Sequence, residues 1–285
     1  KIVKINYRPF DIRYTYYTGH SKGFHCMPRG NVMRHYVHGN NYGLMVCRQQ
    51  KTNGFYHCLV HTNIVESSFV SNKTSEIGYS FPLYLYPQKD DLDSAAQRRP
   101  NLNETIVDEI TQRTGLYFTD EKKECDAAFA PVDLLDYIYA VLYSNNYRTK
   151  YKEFLKIDFP RAPYPENKET FQELSKYGAA LRNLHLLENV EPLMDMALYP
   201  IEGNNCIDKI AYKNGNVYIN KTQYFENVSL EVWKYYIGGY QPAQKWLKDR
   251  KERELDYDDI AHYQKIVAAL SLTIEVQAHI DAMIK

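Results

Sequence analysis

The sequence lacks the features of a membrane or secreted protein. It has no run of apolar residues long enough to cross a bilayer and no N-terminal signal peptide. Its five cysteines are odd in number and irregularly spaced, so the pattern indicates free thiols in a reducing cytoplasm and not a disulfide framework. The formal net charge is zero, which argues against a protein that is basic throughout.

The neutral total hides two oppositely charged regions. Residues 1–75 hold ten of the 35 Lys and Arg, two of the 35 Asp and Glu, and six of the nine histidines. The other 210 residues hold 25 basic and 33 acidic side chains, so the two regions carry charges of +8 and −8. A basic segment joined to an acidic remainder is typical of a module that faces an anion, most often nucleic acid. A solvated basic surface without a partner is the alternative.

Tyrosine is abundant, with 27 residues against 11 Phe and 2 Trp. A tyrosine ring packs or stacks while its hydroxyl forms hydrogen bonds, which suits polar contact surfaces. Four tyrosines and two arginines fall within residues 7–17. Strand alternation there places Ile12, Tyr14 and Tyr16 on one face, which could enter a core, and Arg13, Thr15 and Tyr17 on the other.

The hydrophobic pattern changes along the chain. Residues 1–100 favour a β-rich region, in which the runs 44–47 and 55–60 form a hairpin and 80–87 an edge strand. Residues 88–104 are polar and predict a surface crossover. Residues 101–285 favour helices with one β-hairpin at about 207–220, where Asn214-Gly215 forms the turn. The predicted helices span 103–114, 131–143, 147–155, 168–188 and 256–284. The sequence thus predicts an α+β fold with a basic β-rich N-terminal half, a mainly helical C-terminal half and a long terminal helix.

Five groups of residues, in order along nearly the whole chain, carry a family resemblance. They are Tyr7-Arg8-Pro9-Phe10-Asp11-x-Arg13-x-x-Tyr16-Tyr17, Leu134-Leu135-Asp136-Tyr137-Ile138-Tyr139-Ala140-Val141-Leu142, Tyr147-Arg148-x-x-Tyr151-x-x-Phe154-Leu155-Lys156-x-Asp158-Phe159-Pro160-Arg161-x-Pro163, Leu184-His185-Leu186-Leu187-Glu188, and Val232-Trp233-x-Tyr235-x-Ile237-Gly238-Gly239-Tyr240 with Lys245-Trp246-Leu247-Lys248-Asp249-Arg250. Together they resemble the C-terminal target recognition (specificity) domain of Type ISP restriction–modification enzymes and related adenine-N6 DNA methyltransferases.

The resemblance implies a role in sequence-specific recognition of double-stranded DNA. In that family the domain follows an adenine-N6 methyltransferase domain in one cytoplasmic polypeptide and positions it on the duplex. S-adenosylmethionine belongs to that adjoining domain, and no cofactor is expected in this chain. The family's Asn-Pro-Pro-Tyr signature, a Gly-rich cofactor loop and GxxxxGK[ST] are all missing from the sequence. We therefore expect no catalytic residue, no metal site and no membrane partner.

The candidate DNA-binding side chains come from the basic N-terminal region. Arg, Gln and Asn reach base edges, and Lys and Arg hold phosphates. Predicted base readers are Arg29, Arg34, Arg48, Gln49, Gln50 and Asn72, and predicted phosphate contacts are Lys22, Lys51, Lys73 and Arg8.

Three other interpretations remain open at this point. The chain could be a structural module that docks to a methyltransferase partner through its tyrosines and long helix, without reading bases. A zinc site could use the His and Cys residues between His25 and His61, although their spacing fits no CxxC-type site. An independent small-molecule enzyme would need a deep pocket with convergent titratable groups.

Overall fold

The computed structural model describes residues 1–37, 40–50, 54–71, 76–87, 97–190 and 195–285 and has the predicted α+β composition. The strands are β1 (Ile2–Arg8), β2 (Asp11–Tyr16), β3 (Gly43–Cys47), β4 (Cys58–His61), β5 (Ile64–Val65), β6 (Gly78–Pro82), β7 (Tyr84–Leu85), β8 (Arg99–Pro100), β9 (Tyr117–Phe118), β10 (Ala128–Phe129), β11 (Ala211–Lys213), β12 (Asn216–Tyr218) and β13 (Tyr224–Phe225). The helices are α1 (Gly30–Val37), α2 (Glu104–Thr114), α3 (Pro131–Tyr143), α4 (Asn145–Lys150), α5 (Lys168–Leu186), α6 (Leu230–Lys234), α7 (Pro242–Lys248) and α8 (Tyr257–Met283), with a 3₁₀ turn at Phe154–Lys156.

Two small sheets organise the N-terminal region. In the first, β1 pairs antiparallel with β2 and parallel with β5. In the second, β3 lies between β4 and β6, and both pairings are antiparallel. The β3–β4 hairpin and the edge position of β6 were both predicted from the sequence and are confirmed, although β4 begins at Cys58 and not at residue 55.

The exposed face of β2 differs from the expectation. Tyr14 is 73% exposed, and Ile12 and Tyr16 are also exposed, so this face does not enter a core. The central strand β1 exposes Ile2 and Lys4 on the same face, so this part of the sheet surface faces solvent on both strands. The opposite face of this sheet contributes Ile5 to a small core that also contains Met33 of α1.

The predicted helices are largely confirmed. Helix α2 begins after Asn103, whose side chain accepts from the Thr105 backbone N–H, and ends at Gly115 in the left-handed region at φ 69°. Helices α3, α5 and α8 lie within two residues of their predicted bounds. The segment 147–155 differs, since the chain instead forms α4 and the 3₁₀ turn. Helices α1, α6 and α7 and strand β13 were not predicted, because each is too short for a clear periodic pattern.

The two predicted regions share their hydrophobic cores. One core joins Phe10 and Met45 to Trp246 and Tyr263. A second core joins strand residue Val60 to buried residues of α3 and α5. The boundary near residue 100 stays a prediction, but packing does not separate the two sides of it.

Helix α8 is the central helix of the first core. By length and composition it is long and apolar enough to cross a membrane, which differs from the expectation that the sequence holds no such segment. Its middle section, from Ile266 to Leu270, is fully enclosed by protein. This burial is what a core helix of a globular domain shows, because such helices pass the same hydropathy test.

Helices α3 and α5 are held together by a buried ion pair. Arg182 donates through Nε to Asp136 Oδ1 at 2.7 Å and through Nη2 to Oδ2 at 3.1 Å. Beside this pair, a methyl group at Gly178 would overlap the Asp136 carbonyl oxygen, so the glycine permits the close approach of the helices. Desolvation raises the pKa of Asp136 to about 6, and the adjacent guanidinium opposes this shift.

The Asp11 carboxylate joins the start of the chain to its C-terminal region. This carboxylate is 3% exposed and accepts from Arg13 Nη2 at 2.9 Å and from Arg250 Nη2 at 3.3 Å. The preceding residue, Phe10, has a left-handed backbone at φ 61°, and its carbonyl accepts from His262 Nε2 at 2.7 Å. A left-handed non-glycine residue is strained, so these contacts must hold the turn in place.

Replacing Asp11 with Ala should destabilise the whole chain. The change leaves the largely buried Arg250 without its closest carboxylate, and we expect the free energy of unfolding to fall by about 3 kcal/mol. Arg13→Ala is the matched control, because this guanidinium is 45% exposed and the loss should be below about 1 kcal/mol. Urea unfolding of the two variants gives the comparison. Equal losses in the free energy of unfolding for the two variants would contradict the role of Asp11 in joining the first strands to the C-terminal helices.

Two buried histidines make stability depend on pH. His185 bonds the Tyr139 hydroxyl at 2.6 Å and Thr273 Oγ1 at 3.1 Å, and burial lowers its pKa to about 3. His61 bonds Ser80 Oγ at 2.9 Å and the Asn63 carbonyl, and burial lowers its pKa to about 4. In the unfolded chain both imidazoles take up a proton near pH 6.5. Acidification below pH 6.5 therefore favours the unfolded state until the folded-state pKa values are reached.

The pH effect should be visible in the variant His185→Gln. Glutamine does not titrate, so the destabilisation that it causes should shrink by roughly 1.4 kcal/mol between pH 7.5 and pH 5.5. Urea unfolding at the two pH values measures this difference. His20→Gln is the control for the substitution itself, since His20 is exposed. A constant cost for His185→Gln would show that this imidazole titrates normally in the folded chain.

Candidate nucleic-acid interface

The outward face of the β1–β2 hairpin combines aromatic rings with a cation. Lys4 lies opposite Tyr14 and Ile2 lies opposite Tyr16 in the antiparallel register, and all four side chains are exposed. Lys4 forms no ion pair within the described part of the chain. Exposed tyrosines beside an unpaired lysine can stack and form hydrogen bonds next to an anion. The sequence pattern predicts a core position for this face, so Lys4 is not among the predicted contacts. Its exposure depends on what packs on the sheet, which strand alternation does not show.

The loop between β2 and α1 presents two of the predicted cations. Lys22 and Arg29 are exposed and have no ion-pair partner among the described residues. Both have left-handed backbones, at φ 66° and φ 49°. The Tyr17 hydroxyl donates to the Pro28 carbonyl at 2.7 Å, which fixes the end of the loop. Strained backbones at two exposed cations in one loop support a functional role for it.

A groove of about 930 Å³ lies where this loop meets the start of α1. Its lining includes Lys1, Tyr16, His20 and Arg34. Arg34 is half-buried, and its Nη1 donates to the Tyr86 carbonyl at 2.9 Å. Arg34, a predicted base reader, therefore lines the groove, but its Nη1 already donates a hydrogen bond within the fold.

No acidic side chain in the described part of residues 1–75 remains free. Asp11 is buried against two arginines, and Glu66 pairs with Arg8. The exposed cations of this region are thus not neutralised by neighbouring carboxylates of the same region. Their combined field favours an anionic partner.

Arg8 is placed inside the fold. It is 9% exposed, its Nη1 binds the Glu66 carboxylate, and its guanidinium lies 4.0 Å from the centre of the Tyr7 ring. A buried, paired guanidinium of this kind braces β1 against the segment after β5. In this conformation Arg8 is not presented to a phosphate, because its charge is already matched by Glu66.

The predicted residues at the end of β3 divide into an exposed pair and a buried residue. Arg48 is exposed, with Nε donating to Asp158 Oδ1 at 3.1 Å, and Gln49 is exposed with a long contact of 3.4 Å to the Ile157 carbonyl. Gln50 is 6% exposed; its amide donates to the Leu155 carbonyl and its oxygen bonds His57 Nδ1 at 2.8 Å. The position of Gln50 is that of a structural residue, because both ends of its amide are used within the fold. Lys51, Asn72 and Lys73 lie outside the described residues.

An aromatic surface beside Arg48 was not predicted. The Phe159 ring meets Tyr79 at 5.1 Å and Phe81 at 5.6 Å between centroids, and both partners are half exposed. Arg161 is exposed next to them. These residues come from distant segments, so the sequence pattern held no signal for their meeting.

The histidines considered for a zinc site have other partners. His35 Nδ1 accepts from the Tyr86 backbone N–H at 3.0 Å, and His57 lies between Gln50 and the buried Glu76, with 3.2 Å from Nε2 to Oε2. His25 contacts Thr15 Oγ1 at 2.8 Å. Within the described ranges, no group of three or more His, Cys, Asp or Glu side chains is arranged to hold a metal ion.

Three solved structures resemble the whole chain in fold. They are the ATP-dependent Type ISP restriction-modification enzyme LlaBIII bound to DNA (TM-score 0.70, 15% identity), a nuclease-deletion mutant of the Type ISP restriction-modification enzyme LlaGI in complex with a DNA substrate mimic (0.65, 17%), and a cryoEM structure of a DrdV–DNA complex (0.73, 17%). Each match covers 100% of this chain but 18%, 24% and 28% of the respective structures. At these identities the likeness shows the fold. None of the curated protein sequences matches the chain.

A family profile assigns the chain to a protein family, which the structural similarities alone do not do. The profile described as the Type ISP C-terminal specificity domain matches residues 1–278. The match includes all five groups of residues on which the sequence resemblance was based. The chain therefore belongs to the Type ISP C-terminal specificity domain family.

Proposed function

We propose that this chain recognises a short sequence in double-stranded DNA and thereby positions an adenine-N6 methyltransferase domain adjoining it in the same polypeptide. The family assignment over residues 1–278 carries the proposal. The resembling structures are described as enzymes with bound DNA or a DNA mimic, and this chain spans between 18% and 28% of their length. The chain would act as a non-catalytic domain of a larger cytoplasmic enzyme.

The surface chemistry supports a DNA partner. Lys4, Lys22 and Arg29 are exposed and unpaired, with aromatic rings beside Lys4, and the acidic side chains near them are already occupied. DNA phosphates would contact Lys22 and Arg29. Gln49 would contact base edges, and Arg48 would do so if its ion pair with Asp158 opens. S-adenosylmethionine would lie in the adjoining domain, because this sequence has no Gly-rich cofactor loop.

A second candidate function rests on the apolar surface. Phe81 and Phe159, together with the exposed Ile157 and Phe154, form an aromatic and aliphatic surface that suits a protein partner. In this alternative the chain docks to a methyltransferase without reading bases. It predicts that DNA binding by the intact enzyme shows no sequence preference that depends on this chain.

Arg29→Ala should weaken DNA binding without changing its sequence preference. A phosphate contact releases counterions, so its loss should reduce the slope of log K against log salt by about 1 and lower the affinity for all duplexes alike. Fluorescence anisotropy with labelled duplexes at several salt concentrations measures both quantities. Arg253→Ala is the matched control, since Arg253 is exposed in the acidic remainder of the chain. An unchanged slope for Arg29→Ala would remove Arg29 from the interface.

Arg48→Ala and Gln50→Ala should have different effects. If Arg48 reads a guanine, its loss should cost about 1–3 kcal/mol and relax the preference at one base pair in a selection of bound duplexes from a random pool. Gln50→Ala should lower the free energy of unfolding, because it leaves buried groups of His57 unpaired, and should leave the selected sequence unchanged. An identical selected sequence for Arg48→Ala and the unaltered protein would exclude base reading by Arg48.

A further inference from the structure

A cavity of about 510 Å³ opens beside α4, and none of the residues that line it is among the predicted DNA contacts. Its walls come from α4, from α6 with the two tyrosines that follow it, from the C-terminal part of α8 and from Tyr56. The size is that of a small-ligand site. The charges on its walls indicate what kind of ligand it would take.

Arg148 is the buried charge of this cavity. The side chain is 7% exposed, and Nε donates to the Leu142 carbonyl at 2.7 Å. Nη2 is buried without a hydrogen-bond partner, and no described carboxylate pairs with the guanidinium. The nearest compensation comes from aromatic rings, with Tyr143 at 4.7 Å and Tyr56 at 5.4 Å from the guanidinium carbon. A buried cation without a counterion is costly, so the site lacks a negative charge.

The other charged groups at the cavity do not supply the missing negative charge. Lys234 of α6 is exposed and forms no ion pair within the described residues. Glu231 also lines the cavity but is exposed, so water screens its charge. Asp281 of α8 is near α4, but its oxygens already accept from Ser144 and Asn145. One buried and one solvated cation therefore face the cavity against one solvated carboxylate.

We propose that this cavity binds a phosphate group, with Arg148 and Lys234 supplying the opposing charge. A guanidinium with free N–H groups matches the oxygen geometry of phosphate, and an ammonium adds a second point charge. The Tyr56 and Tyr236 rings, 6.1 Å apart, leave an aromatic wall for the organic part of a phosphate ester. The source is inorganic phosphate, a soluble ester or a DNA backbone phosphate. The proposal does not depend on the proposed function, since it concerns residues to which that function assigns no contact.

Titration of the chain with inorganic phosphate, followed by calorimetry at constant ionic strength, tests the site. The main test variant is Lys234→Met, because an exposed lysine can be replaced without disturbing the fold. Its affinity for phosphate should be about ten-fold weaker than that of the unaltered chain. Arg148→Lys keeps the charge but loses the planar donors, and should weaken binding at least as much. Lys213→Met is the control, since Lys213 is exposed on β11 away from the lining residues. Its affinity should equal that of the unaltered chain.

Competition separates the sources of the phosphate. If a short DNA duplex displaces bound phosphate, the site holds a backbone phosphate, and if it does not, the site holds a free phosphate or ester; both outcomes support a phosphate site. The proposal is overturned if the unaltered chain responds to phosphate no more than to chloride. It is also overturned if Lys234→Met binds phosphate as tightly as Lys213→Met does. Neither result bears on DNA sequence recognition, which is read out with duplexes and Arg29 or Arg48 variants.

Discussion

The position of the buried Asp11 carboxylate constrains the rest of the structure. It receives guanidinium groups from its own strand and from Arg250, which follows α7 and stacks on Trp246 at 3.7 Å. Together with the bond from His262 to the Phe10 carbonyl, it joins the first strands to the final helices. The turn at residues 9–11 is therefore held by contacts from both ends of the chain. This long-range closure explains why the first hundred residues contribute to cores that the later helices complete.

Residues that carry the family resemblance are mostly bracing residues. Asp136 holds α5 through Arg182, and the turn at Gly238 and Gly239 packs on the strand region, with their backbone N–H groups donating to the Tyr56 and Val70 carbonyls at 2.6 and 2.7 Å. A side chain at Gly238 would overlap the Val70 carbonyl, and its φ of 57° also favours glycine. Such groups fix the scaffold. In the proposed function, recognition of a particular DNA sequence would fall to exposed loops, whose side chains can differ without disturbing these contacts.

Much of the fold could be predicted from the sequence where local signals are strong. Asn103 and Gly115 bound α2, and Asn214 and Gly215 adopt the left-handed conformations of a tight hairpin turn. The site was harder to predict because exposure and pairing depend on contacts between distant segments. Arg8 pairs with Glu66, which lies 58 residues away in the sequence, and Gln50 forms a hydrogen bond with Leu155, which lies 105 residues away. The residues next to Arg8 and Gln50 in the sequence therefore do not indicate that these two side chains are buried. The exposure of Tyr14 depends on whether another element covers that face of the sheet, which alternation alone does not reveal.

The central claim is that this chain determines which DNA sequence the enzyme modifies, on a scaffold fastened at Asp11 and shared with its family. The most direct measurement exchanges residues 1–285 for the corresponding domain of a family member with a different target, and maps methylated adenines in the host genome. The account predicts that the methylated sequence follows the exchanged domain. An active hybrid that still methylates its original sequence would contradict the account and favour a docking module that reads no bases.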